Sequence, residues 1–190
     1  MRRLAYIFLI SLLIAACGTQ APPEGAAISH RDSLPVMTTK GVSKLISDSG
    51  VIRYKIIAEE WQVYDKTMPP RQYFPKGIFL ERFDDNFNVD MYITADTAFW
   101  YNQSLWELRG HVCMENLTDQ TVFTTERLWW DMDRREFYSN VYMCIKQPEQ
   151  MLEGDNFTSN ESLTKYTVTK SRGYRPMPKD NAAATTDSVK

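Results

Sequence analysis

The chain predicts an all-β fold, a curved antiparallel double-layer sheet built from roughly 30-residue repeats with open edges. Three observations predict it. Apolar and polar residues alternate at period two, turn-forming residues interrupt that alternation at short intervals, and one segment repeats itself. At 190 residues, 43% hydrophobic and 24% charged, the composition is that of a globular domain and excludes a disordered or collagen-like chain. The net charge of -2, from 22 basic and 24 acidic residues, gives no general attraction to phosphate backbones, so no nucleic acid partner is expected.

Met1, Arg2 and Arg3 precede an apolar run, Leu4 to Ala16, and then Cys17 and Gly18, the layout of a signal peptide. The run is 13 residues, short of the ~20 that a membrane-spanning helix needs. Ile14-Ala15-Ala16-Cys17 resembles the bacterial lipobox, in which cleavage precedes a cysteine whose thiol carries a diacylglycerol. Residues 1–16 are thus expected to be cleaved and Cys17 to be the lipidation site, with two or three acyl chains holding the protein at a membrane. Residues 17–41, rich in Pro, Ala, Gly, Ser and Thr and without period, read as a lipidated flexible tether. Residues 42–170 read as the folded domain. Residues 171–190 lose apolar content again and read as a disordered tail.

Within the domain, Ile52, Tyr54 and Ile56 interleave with Arg53 and Lys55; Met91, Ile93 and Ala95 with Tyr92 and Thr94; Val141, Met143 and Ile145 with Tyr142, Cys144 and Lys146. Each is a strand with one buried face. Turns are expected at Asp48-Ser49-Gly50, Asp65 to Pro70, Asp84-Asp85-Asn86, Asn102-Gln103-Ser104, Asn116 to Asp119, Asp131 to Arg135 and Gly154-Asp155-Asn156. The segment Ile93–Tyr101 lines up with Phe123–Asp131, and Leu108–Met114 with Phe137–Met143, at an offset of 30 residues that falls to 29. Weaker copies begin around Ile57 and at Glu153. Each unit has an acidic residue where the strand turns a corner: Glu59, Asp96, Glu126 and Asp155 are read as structural, accepting hydrogen bonds from backbone N–H groups unpaired at the bend.

Stacked units make a double layer, and the alternation assigns its inner face: Ile56, Ile93, Ala95, Ala98, Trp100, Leu108, Val112, Met114, Phe123, Leu128, Trp130, Phe137, Val141, Met143 and Ile145. Alternation alone does not separate an open trough from a closed sandwich core. The two unpaired edges of such a layer invite partner strands.

Chemistry is sparse. His111 and Cys113 supply two ligands where zinc takes about four, so no metal is expected. Carboxylate pairs such as Asp84-Asp85 and Asp131/Asp133 fall in turns, and no phosphate loop or nucleophile elbow occurs; neither enzymatic activity nor a cofactor is expected. Cys113 and Cys144 fall on one face, one diagonal step apart if their strands are neighbours, leaving a disulfide or two separate thiols open.

The order Ile93-Thr94-Ala95-Asp96, Trp106-Glu107-Leu108-Arg109-Gly110-His111-Val112, Leu128-Trp129-Trp130-Asp131 and Phe137-Tyr138-Ser139-Asn140-Val141, over residues 42–170, resembles the LptC-type periplasmic components of lipopolysaccharide export, relatives of the OstA-like bridge proteins. The resemblance implies a β-jellyroll that takes lipopolysaccharide from an inner-membrane ABC transporter and passes it to the next bridge protein. It implies acyl chains bound in a groove at Ile56, Ile93, Trp100, Leu108, Val112, Met114, Leu128, Trp130, Phe137, Val141 and Met143. The transporter subunits' β-jellyroll would meet the N-terminal edge, and an LptA/OstA-like bridge protein the C-terminal edge. The sequence departs from the commonest pattern by carrying a lipobox where an uncleaved transmembrane helix is usual. Periplasmic localisation follows, lipid-anchored at the inner membrane, with the outer membrane as the alternative. The competing function is an envelope assembly lipoprotein that binds partners through its edges and carries no lipid. A third class, an enzyme acting on envelope glycans, would need a paired-carboxylate cleft.

Overall fold

A computed structural model describes residues 33–174, so the expected signal segment 1–16, the expected lipidation at Cys17, most of the expected tether and the last residues of the expected tail lie outside the described residues. Twelve strands follow in order: β1 (Met37–Asp48), β2 (Val51–Tyr64), β3 (Arg71–Phe74), β4 (Ile78–Phe83), β5 (Val89–Ala95), β6 (Thr97–Tyr101), β7 (Leu105–Asn116), β8 (Val122–Asp131), β9 (Glu136–Ser139), β10 (Met143–Lys146), β11 (Met151–Asn160) and β12 (Tyr166–Tyr174). All pairings are antiparallel. The fold is the all-β double layer that the alternation and the repeat predict, and the β-jellyroll that the resemblance implies.

The long strands change partners halfway along. β2 pairs with β4 over Tyr54–Ile57 and with β3 over Gln62–Tyr64. β7 pairs with β6 over Leu105–Arg109 and with β5 over Cys113–Asn116. β8 pairs with β10 and then β9, and β11 does the same. The short strands β3 and β4, β5 and β6, β9 and β10 are each one long strand interrupted at that level, so the chain is a meander of long bent strands. One layer holds β4, β5, β10 and half of every long strand; the other holds β3, β6, β9 and the remaining halves.

The bend recurs at one height in every strand, and the backbone shows why. Gly110 (φ 75°), beside His111 (φ 42°), and Gly77 (φ 85°) occupy the left-handed region, and Asn156 (φ 52°) repeats it in β11. A Cβ on Gly110 would collide with the Asp96 carboxylate, whose own backbone N–H donates to Gly110 O at 3.0 Å. The expected turn at Gly154-Asp155-Asn156 is therefore a corner inside β11, where the register shifts twice. The same residue chemistry serves a turn and a bend. The actual reversals on either side of β11 are at 147–150 and 161–165.

Two boundaries and one interior residue differ from expectation, and of the two alternatives left open for the cysteines the structure has separate thiols. Residues 37–41 of the expected tether are the start of β1, and residues 171–174 of the expected tail are the end of β12. Both strands are mostly exposed, so they carry no hydrophobic alternation to read. Val141 is not in a strand: it stands half-buried in the corner between β9 and β10, where Thr125 Oγ1 donates to the neighbouring Tyr142 carbonyl at 2.8 Å. Cys113 and Cys144 are free thiols, each registered against Thr124 of the intervening β8. Two strand spacings put them roughly 10 Å apart, beyond disulfide reach.

The two layers meet through one hydrophobic core. Tyr54 packs edge-on against Trp130 with ring centroids 4.6 Å apart, and Phe123 against Phe157 at 4.5 Å; each pair joins opposite layers. Among the described residues β1 pairs only with β2 and β12 only with β11, leaving an edge at each end.

Candidate functional site

The candidate site is the space between the layers. Strand pleating sends alternate residues into it, and Ile56, Ile93, Trp100, Leu108, Val112, Met114, Leu128, Trp130, Phe137 and Met143 are all buried there. So are Ala95, Ala98, Phe123 and Ile145. Val141 is not among them. Trp130 is 0% and Phe137 1% exposed, so the interior stands packed and closed in this structure.

Aromatic rings cross the second layer from strand to strand. Trp61 lies 6.5 Å from Phe74, Phe74 5.5 Å from Trp106, Trp106 6.3 Å from Trp130, and Trp130 5.6 Å from Phe137. Trp100 stacks on Trp106 at 4.8 Å. The row runs from β2, beside the N-terminal edge, to β9, one strand short of β11. Trp106, Phe74, Leu80 and Phe157 belong to the interior and lie outside the inner face that the alternation assigns, while Met91 joins them with the parity it shares with Ile93. Trp106 shares the parity of Leu108, a signal that could have found it; Phe74 is the single buried residue of a four-residue strand and gives no period.

The mouth opposite the bend is held by Glu161, in the turn between β11 and β12. Its Oε1 accepts from Tyr54 OH at 3.0 Å and from Trp130 Nε1 at 2.9 Å, and its backbone carbonyl accepts from Arg82 Nη1 at 2.6 Å. Arg82 is itself fixed by Asp90, at 2.7 and 2.9 Å. Burial, and then the facing Glu161 carboxylate, push the Tyr54 phenol far above its usual range, so it stays a donor. Tyr54 and Arg82 belong to one layer and Trp130 to the other, which makes this a clamp across the mouth. Asp48 and Arg135 add a second bridge at 2.8 Å.

The four corner acids stand at the bend. Two of them are satisfied differently from expectation: Asp96 Oδ2 takes His111 Nδ1 at 2.7 Å, and Glu59 takes Lys76 Nζ at 3.1 Å, side-chain donors rather than backbone N–H groups. The Asp96 N–H already has Gly110 O, so its carboxylate is free for the imidazole. That pairing raises the His111 pKa, and His111 is turned out at the corner rather than sharing a strand face with Cys113. Glu126 is exposed, and Asp155 contributes its backbone carbonyl to Thr169 Oγ1 at 2.9 Å.

The outer face of the second layer carries a buried carboxylate. Glu107 is 1% exposed, yet it points away from the interior; Arg109 binds it through two nitrogens at 2.7 and 2.8 Å, and Tyr101 OH donates at 3.1 Å. Full pairing explains its burial without a catalytic role. Among the described residues no helix is long and apolar enough to cross a membrane.

The family model described as lipopolysaccharide-assembly, LptC-related, matches residues 4–173. No curated protein matches the chain.

Proposed function

The chain belongs to the LptC-related family of lipopolysaccharide-assembly proteins and so serves lipopolysaccharide transport in the cell envelope, and from that premise we propose that it is a lipid-transfer bridge. It takes lipopolysaccharide from an inner-membrane ABC transporter at the β1 edge and passes it between the layers to a bridge protein at the β12 edge. Cys17, cleaved and acylated, anchors it, with the residues before β1 as spacer. The observation that carries the reading is the aromatic row from Trp61 to Phe137, which gives acyl chains an apolar wall from β2, next to the N-terminal edge, across to β9. Apolar area removed from water there contributes about 25 cal/mol per Å². Passage requires the layers to part, and the Glu161 clamp is what must release.

One observation favours a second reading, an assembly lipoprotein that uses its edges and carries no lipid: the interior is filled by its own side chains. In-cell photocrosslinking separates the two. Photoreactive residues at Trp130 and Phe137 should capture lipopolysaccharide while the transporter hydrolyses ATP, and those at outward Tyr138 and Arg127 should not. A folded, anchored protein giving no adduct at any of the four positions is the assembly lipoprotein.

A further inference from the structure

Lys44 is a charged residue on the wrong face. It stands opposite Ile56 in the β1–β2 register, and cross-strand partners share a face; Ile56 is fully buried. Its ammonium lies 4.2 Å from the Trp100 ring centroid and 5.3 Å from that of Trp61. Among the described residues it has no ion-pair or hydrogen-bond partner, and burial alone lowers its pKa, with no carboxylate to oppose the shift. Around it are further unused groups. The indole N–H groups of Trp61, Trp100 and Trp106 are buried without acceptors, and Gln72 Oε1, on the residue registered against Trp100, is buried without a donor.

Buried donors without partners are costly and uncommon. An ammonium and an indole donate and never accept, so what completes this cluster is an acceptor-rich anion. An inward lysine on an edge strand also discourages strand addition, but that purpose does not call for three unpaired indoles beside it.

We propose that Lys44, whose ammonium sits over the rings of Trp61 and Trp100 while their indole N–H groups stand unpaired, marks a binding site at the N-terminal edge for a phosphate group carried on the acylated ligand. The site rests on the lipid-bridge reading and deepens it: the apolar row begins at the same tryptophans, so the phosphate would be held where the acyl chains enter. A phosphate has oxygens enough to accept from the ammonium and from more than one indole, and its hydroxyl hydrogen has Gln72 Oε1 to meet.

The test uses the purified protein and follows tryptophan emission during titration with lipopolysaccharide, with the same material dephosphorylated, and with inorganic phosphate. The wild type should bind the phosphorylated form about tenfold or more tightly than the dephosphorylated one, the scale of one charge-assisted hydrogen bond. Lys44→Met, which keeps the aliphatic stem, should bind both forms at the weaker level, and Lys44→Arg should retain the preference. Unchanged discrimination in Lys44→Met overturns the site and leaves the bridge reading standing. Inorganic phosphate binding alone with equal affinity overturns the assignment to a lipid headgroup. No binding of either lipid form by the wild type overturns the bridge reading itself, and the site with it.

Discussion

Replacing Glu161 with Ala should loosen the mouth of the molecule. Two donors lose their acceptor: Tyr54 OH, on a side chain 6% exposed, and Trp130 Nε1, on one fully buried. A buried donor left unsatisfied costs about 1–3 kcal/mol, so the pair predicts a loss of about 2–6 kcal/mol. The Arg82 contact, made to the backbone carbonyl, survives the substitution. Glu161→Gln keeps an acceptor at the same place and should lose about 1 kcal/mol or less. Urea unfolding measures both through the midpoint at unchanged slope. A cycle with Tyr54→Phe should then show coupling of about 0.5–3 kcal/mol, since the two residues share one bond. A loss below about 0.5 kcal/mol for Glu161→Ala, or strict additivity with Tyr54→Phe, would refute the clamp.

Gly110→Ala should destabilise by about 1–3 kcal/mol in the same assay, because it combines a left-handed φ with a collision against Asp96, and Asp96→Ala in that background should recover part of the loss. Trp106→Ala should cost about 3–5 kcal/mol, as removal of a fully buried indole does. His111 should titrate by NMR above its ordinary 6.5, and Asp96→Asn should bring it back down. The folded-state pKa is the raised one, so the stabilisation from this pair is complete below the ordinary value and fades as pH climbs through the raised value. Thiol titration of the folded protein should find Cys113 and Cys144 both reduced and slow to react, since burial raises both, and oxidising conditions should not join them.

What the sequence discloses is whatever a strand encodes within itself. Met91, Ile93 and Ala95 give their parity by alternation, and Asp96 marks the bend because a repeat displays it twice. Val141 escapes, since the residues between β9 and β10 continue the alternation on paper while the chain leaves the ladder. β1 and β12 escape because an edge strand buries little; even Lys44, at an inner position, breaks the pattern that would have revealed β1. The clamp was illegible for a different reason. Tyr54 and Glu161 are separated by 107 residues, and no local signal connects a phenol in β2 to a turn after β11.

Since every long strand belongs to both layers, neither layer can grow without the other. A neighbouring chain that adds one bent strand beyond β12 lengthens both walls together by about 4.8 Å, and its own bend must sit at the height of Gly110 and Asn156 to do so. The crease is thus a gauge: it tells an incoming strand how far to slide, and a one-residue slip would turn its apolar face outward along its whole length.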